Sequence, residues 1–136
     1  DDPKPEVVGG VTEDWCPDCY RNVPIIAKIA SYCPDWELRV FARDQNMDVM
    51  NLYLNKGEFQ SIPTVVFYDN EFNEIGRWVE RPATQTQYNE DLSERLAKQQ
   101  LSPEELRAER RRLGEEAFEQ IYKYEVVREL KELLAK

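Results

Sequence analysis

The chain has 136 residues, 41% hydrophobic and 33% charged, with a formal net charge of -9 at neutral pH. That length and balance suit a single soluble domain with a moderate core, and no apolar stretch approaches the length of a membrane span. So negative a chain disfavours nucleic acid and anionic membrane as partners, because phosphate binding needs a basic surface.

Glu6-Val7-Val8-Gly9-Gly10-Val11 reads as a short buried strand rich in β-branched residues. It leads into Trp15-Cys16-Pro17-Asp18-Cys19, and from Pro17 to about Ser31 the residues Val23, Ile25, Ile26, Ile29 and Ala30 recur at helical spacing. Pro17 suits a first-turn position, whereas Pro24 removes a backbone hydrogen bond and is expected to bend the axis. Trp36–Ala42 predicts a second strand and Asp48–Asn55 a short helix ending at Gly57. Thr64–Tyr68 and Glu74–Val79, joined by a polar turn, predict a hairpin. Ile62-Pro63 precedes it, where proline suits a tight turn with a cis or trans bond. Tyr88, Leu92, Leu96 and Ala97 mark a further helix, expected to cap the sheet. Ser102-Pro103-Glu104-Glu105 is a capping box opening a charged helix that Gly114 could interrupt. A last stripe, Phe118, Ile121, Tyr122, Val126, Leu130, Leu133 and Leu134, continues to the C-terminus with a phase change near Tyr124.

Chemistry is concentrated in the cysteine pair. A thiol at the start of a helix faces unpaired backbone N–H groups and the positive end of the macrodipole, both of which favour the thiolate. Cys16 is therefore the candidate nucleophile, and Cys19, one turn further on, is placed to resolve a mixed disulfide formed on Cys16. A zinc site is the competing reading, but there is no histidine and Cys33 is the only other sulfur ligand, so no metal is expected. A structural disulfide is weaker still, since so short a loop removes little unfolded-state entropy. Cys33 itself reads as a small buried hydrophobe.

Taken together, Trp-Cys-x-x-Cys after a strand, Pro24 five residues past Cys19, Ile62-Pro63-Thr64 opening a strand, and a hairpin resemble the thioredoxin family over about residues 6–100. The resemblance is strongest to bacterial thioredoxin-like proteins with a Trp-Cys-Pro-Asp-Cys motif and a Gly-Arg-Trp segment, here Gly76-Arg77-Trp78. It implies an α/β fold, a central mixed four-stranded sheet flanked by helices, over a thioredoxin-like domain of residues 1–100; beyond it the family pattern runs out, and 101–136 reads as a C-terminal helical extension that packs on the same domain, as short connections favour, or pairs with another chain. It also implies that the Ile62-Pro63 peptide is cis, with Trp15, Pro17, Asp18 and Pro63 supporting the pair, and that Ile62, Pro63, Thr64 and Arg81 contact substrate, Glu80 and Pro82 edging the same groove. Only 15 residues precede Cys16, so the resemblance implies either a minimal four-stranded version or a first strand and helix that are missing.

Two departures stand out. The family's buried aspartate falls at Gly10 or Val11, and its partner lysine at Val40. Proton transfer to or from Cys19 is then left to water, Glu13, Asp14 or Asp18. Asp18 either opposes ionisation of Cys16 or simply favours the helix dipole. The expected function is a thiol-disulfide oxidoreductase, a reductase of protein or small-molecule disulfides. It would be monomeric and cytoplasmic, with no cofactor beyond the Cys16-Cys19 redox pair. Electrons would come from a separate reductase or low-molecular-weight thiol, because no dinucleotide fingerprint is present. The alternative is a peptide-binding adaptor with little turnover. A peroxide-reducing version has less support, with Arg81 its one candidate cation.

Overall fold

The first two strands run parallel, as a strand–helix–strand unit requires. In the computed structural model, which describes residues 5–135, β1 (Val7–Thr12) pairs with β2 (Glu37–Ala42) through the crossover helix α1 (Pro17–Ser31). The strand β3 (Thr64–Tyr68) runs antiparallel to β1 and β4 (Glu74–Val79) antiparallel to β3, giving the order β2-β1-β3-β4. Helix α1 continues through Pro24 without a break.

Alternation along the strands divides the sheet into two faces. Val8, Val65, Phe67 and Trp78 share one face and pack with Ile26 of α1 and with Val126 and Leu130 of α5 (Lys123–Leu134). Burying each such side chain contributes about 1.5–3 kcal/mol, so α5 is part of the main core. On the opposite face Val11 packs with Cys19, Met50 and Ile62 at the site end. Beyond it lies an open apolar groove of about 400 Å³ lined by Val7, Gly9, Arg39, Tyr53, Tyr68 and Phe72 among others.

Three expectations are corrected. The helix expected over Asp48–Asn55 is a 3-10 turn, Arg43–Gln45, followed by the four-residue α2, Met47–Met50. Instead of continuing, the chain closes an Asn55–Phe59 bridge with Lys56 at φ 56°, and Tyr53 turns to hydrogen-bond the Tyr68 hydroxyl. Second, α3 (Ala83–Ala97) is absent from the sheet-facing core, and α5 occupies that position with α1. The ring of Tyr88 in α3 instead meets Tyr122, with centroids 5.5 Å apart. Third, Gly114 does not interrupt α4 (Pro103–Ala117), whose start is capped by the Ser102 hydroxyl accepting from Glu105 N–H at 3.2 Å.

The phase change is real and has a geometric cause. Phe118, Tyr122, Val126 and Leu130 recur every four residues and are all buried. A 3.6-residue period would wind that stripe around the helix, and one wide π turn over Phe118–Tyr122 absorbs the excess. Gly76 fits the same packing: a Cβ there would lie 2.6 Å from Leu133 Cδ1, so the bare backbone lets α5 sit down on β4.

Candidate active site

Cys16 is the residue that caps α1, with extended backbone (φ -82°, ψ 125°), and its carbonyl accepts from the N–H groups of Cys19 and Tyr20 at 3.0 Å. Pro17 follows in the first turn, where it forfeits no intrahelical bond. The Cys16 sulfur therefore stands at the positive end of α1, half-buried, while Cys19 on the next turn is only 1% exposed. Both are free thiols. Burial pushes the Cys19 thiol up to about 11; the neighbouring Thr12 hydroxyl and Glu13 N–H oppose the shift, while Cys16 adds to it. The two sulfurs are thus unlike, one accessible at a helix terminus and one held protonated inside.

Trp15 precedes the pair, 60% exposed, with the Arg43 guanidinium 5.6 Å from its ring centroid. The Ile62-Pro63 peptide is cis. Ile62 packs in the cluster containing Cys19 and Cys16, and Pro63 is buried, its carbonyl accepting from Glu80 N–H at 2.7 Å. Among the described residues neither the N–H nor the C=O of Ile62 makes a backbone hydrogen bond. Thr64 is fully buried and donates its hydroxyl to the Ser61 carbonyl at 2.8 Å, so its side chain faces inward rather than toward a groove.

Arg81 comes to the motif from 63 residues away. Its Nε and Nη2 donate to Asp18 Oδ2 at 3.0 and 2.7 Å, and Nη2 also meets Glu80 Oε2 at 3.0 Å. Burial works against the guanidinium's charge, but the hydrogen bond and charge of Asp18, then Glu80 and Cys16, outweigh it, and its pKa is raised. Asp18 is therefore half of an ion pair: its charge is opposed by Arg81, not presented unopposed to the thiols. Nor is Glu13 idle, since its Oε1 accepts from Asp44 N–H at 2.9 Å.

Of the two positions where the resemblance puts the family's buried acid, Val11 packs with Cys19, Met50 and Ile62, and Gly10 carries no side chain. Gly10 stands opposite Val40 in the parallel ladder, and a Cβ on Gly10 would touch nothing within 4 Å. Val40 is 50% exposed. Cys33 is half-buried beyond the end of α1 and belongs to none of the core clusters. Among the described residues no three His, Cys, Asp or Glu side chains group as metal ligands would, and no helix is long and apolar enough to cross a membrane.

Three further residues shape the site without having been foreseen. Thr12, which helps hold down the Cys19 pKa, had no sequence signal. Asn22, 1% exposed, donates from Nδ2 to the Glu80 carbonyl at 3.0 Å, while its buried Oδ1 has no partner among the described residues. Its signal was a polar residue on the apolar stripe formed by Cys19, Val23 and Ile26. Glu129 of α5 accepts from the Trp78 indole N–H at 2.8 Å and from Ala83 N–H at 3.0 Å, and nothing local announces it.

Comparison with known proteins agrees with this architecture. A solved protein of unknown function from Pseudomonas aeruginosa is 31% identical with a TM-score of 0.52, over 62% of this chain and 49% of its own. An HIV epitope-scaffold is likewise 31% identical, TM-score 0.52, over 61% of this chain and 49% of its own, so the matched part spans about half the length of each. Fasciola hepatica thioredoxin is 22% identical with a TM-score of 0.46, over 60% of this chain and 75% of its own. No curated protein matches the chain. The family model described as Thioredoxin matches residues 8–93, well over half the sequence and inclusive of both cysteines and the hairpin, and the chain accordingly belongs to the thioredoxin family.

Proposed function

We propose that this protein is a thiol-disulfide oxidoreductase that reduces disulfides, and the observation that carries the reading is the asymmetry of the two free thiols. Cys16 is accessible at the start of α1, and Cys19 is buried and held protonated one turn away. The Cys16 thiolate attacks one substrate sulfur; a Cys16–substrate disulfide forms, the substrate S–S bond breaks, and the first substrate thiolate leaves. Cys19 then loses its proton and attacks Cys16 Sγ, forming the Cys16-Cys19 disulfide and releasing the second thiolate. Two electrons pass to the substrate, and the departing thiolates take up the protons. The Thr12 hydroxyl and Glu13 N–H, which act against the rise in the Cys19 pKa, favour its ionisation at that step. A separate reductase or low-molecular-weight thiol restores the dithiol.

An extended polypeptide would pair with the free backbone groups of Ile62 beside the thiols, while Pro63 and Arg81 bound the approach. A second reading, a peptide-binding adaptor with slow turnover, is favoured by the lack of an acid at both Gly10 and Val11, where the resemblance puts the family's buried one. The two separate in one assay: reduction of insulin and of hydroxyethyl disulfide under dithiothreitol. The oxidoreductase reading expects turnover, abolished in Cys16→Ser, and a stable mixed disulfide trapped on Cys19→Ser. Turnover that survives Cys16→Ser, or its absence in the unaltered protein, would sink it.

A further inference from the structure

Residues Val79–Pro82 form the corner between β4 and α3 that carries Arg81 to the cysteine motif. Glu80 adopts φ 63° there, a conformation that disfavours any residue with a Cβ, so the corner must be held by its surroundings. Glu80 is fixed on both sides, by its N–H to the Pro63 carbonyl at 2.7 Å and by Asn22 to its carbonyl at 3.0 Å. The flanks are fixed by one carboxylate: Glu129 Oε1 accepts from the Trp78 indole at 2.8 Å, and Oε2 from Ala83 N–H at 3.0 Å. Ala83 N–H belongs to the first turn of α3 and has no intrahelical partner to turn to. Glu129 lies on α5, outside the residues 8–93 matched to the family.

We propose that Glu129 is a positioning residue of the disulfide-exchange site. By gripping the chain on both sides of the corner it sets where Arg81 meets Asp18 and where the Pro63 loop stands, so the C-terminal helix belongs to the apparatus that receives polypeptide substrates. The inference rests on the oxidoreductase reading. Two charge-assisted bonds from a single carboxylate fix the span between their donors, and loss of that span displaces the substrate-facing loop while leaving the thiols of α1 in place. A small disulfide needs only the thiols, whereas a polypeptide needs the loop and corner as well.

The test uses the full chain with Glu129→Ala and Glu129→Gln, and with Leu133→Ala as a comparison that loosens α5 against Gly76 without touching the corner's hydrogen bonds. All are assayed at a temperature where circular dichroism shows them folded. Glu129→Ala should lower kcat/KM for insulin on the order of tenfold while hydroxyethyl disulfide stays within about twofold. Glu129→Gln, which keeps one acceptor oxygen, should fall between, and Leu133→Ala should leave the ratio of the two substrates unchanged. Equal losses on both substrates, no loss on either, or the same split in Leu133→Ala would overturn the proposal. If the unaltered protein reduces neither disulfide, the oxidoreductase reading fails separately, and the Arg81 Nε–H resonance decides the positioning. Displaced in Glu129→Ala but not in Leu133→Ala, it supports the clamp; unmoved in both, it overturns it.

Discussion

Raising the pH should destabilise this protein through one buried thiol, and the size of the effect follows from its environment. Burial lifts Cys19 from the ordinary 9.0 to about 11. A group whose proton is held more tightly when folded contributes stability that is fully present below its unfolded pKa and is lost as pH rises through the folded one. Taking 9.0 for the unfolded chain and about 11 for the folded, the loss is well under about 1 kcal/mol at pH 9, about 1 at pH 10 and about 2 at pH 11. Tyrosines and lysines titrate in the same range, so the observable is the difference between the unaltered protein and Cys19→Ala. Urea unfolding with the thiols kept reduced, at half-unit steps from pH 7.5 to about 10.5, supplies it. The small cavity left by alanine offsets the two curves by a constant amount. Curves that converge above pH 9 by about the calculated amount support the argument; curves that stay parallel refute it.

Two other perturbations test the packing around the site. Asp18→Asn leaves Arg81 with Glu80 alone; breaking a fully buried pair costs about 3–5 kcal/mol, but this one keeps a second carboxylate and some solvent, so about 1–2 kcal/mol is expected in urea titrations. Gly76→Ala puts a methyl 2.6 Å from Leu133 Cδ1, and should cost about 1–3 kcal/mol. Combined with Leu133→Ala, the cycle should show coupling of about 1 kcal/mol in urea titrations, and additive effects would contradict the close approach.

Local signals carried much of the fold. Helix α1 spans the predicted Pro17–Ser31 because its apolar spacing and Pro17 in the first turn agree, with Pro24 accommodated inside it, and the hairpin strands match their predicted bounds. What failed was partnership. An amphipathic stripe says that a helix has a buried face, not which surface it covers, so α3 and α5 could not be ranked as sheet covers. Helix α2 was over-extended because Tyr53, which fits a helical pattern, is claimed by Tyr68, with Arg77 5.2 Å from its ring centroid. At the site, the cysteine pair was legible from spacing and Pro63 from the family resemblance, but the Asp18–Arg81 pair joins residues 63 apart and Trp78–Glu129 residues 51 apart. No motif encodes such distances; they exist only once the sheet has assembled. Asn22 differs in kind: a polar residue on an apolar helix face is a local signal of a buried partner, and it was missed in the sequence.

The central claim is that Cys16 and Cys19 interchange two electrons with a disulfide. The most direct measurement equilibrates the protein in glutathione and dithiothreitol buffers, quenches by alkylation, and counts modified thiols by mass spectrometry. The account predicts one reversible two-electron transition confined to Cys16 and Cys19, at a potential more negative than about -200 mV, with Cys33 alkylated throughout. A pair that stays reduced across the series, or forms mixed disulfides that Cys19 never resolves, would contradict it.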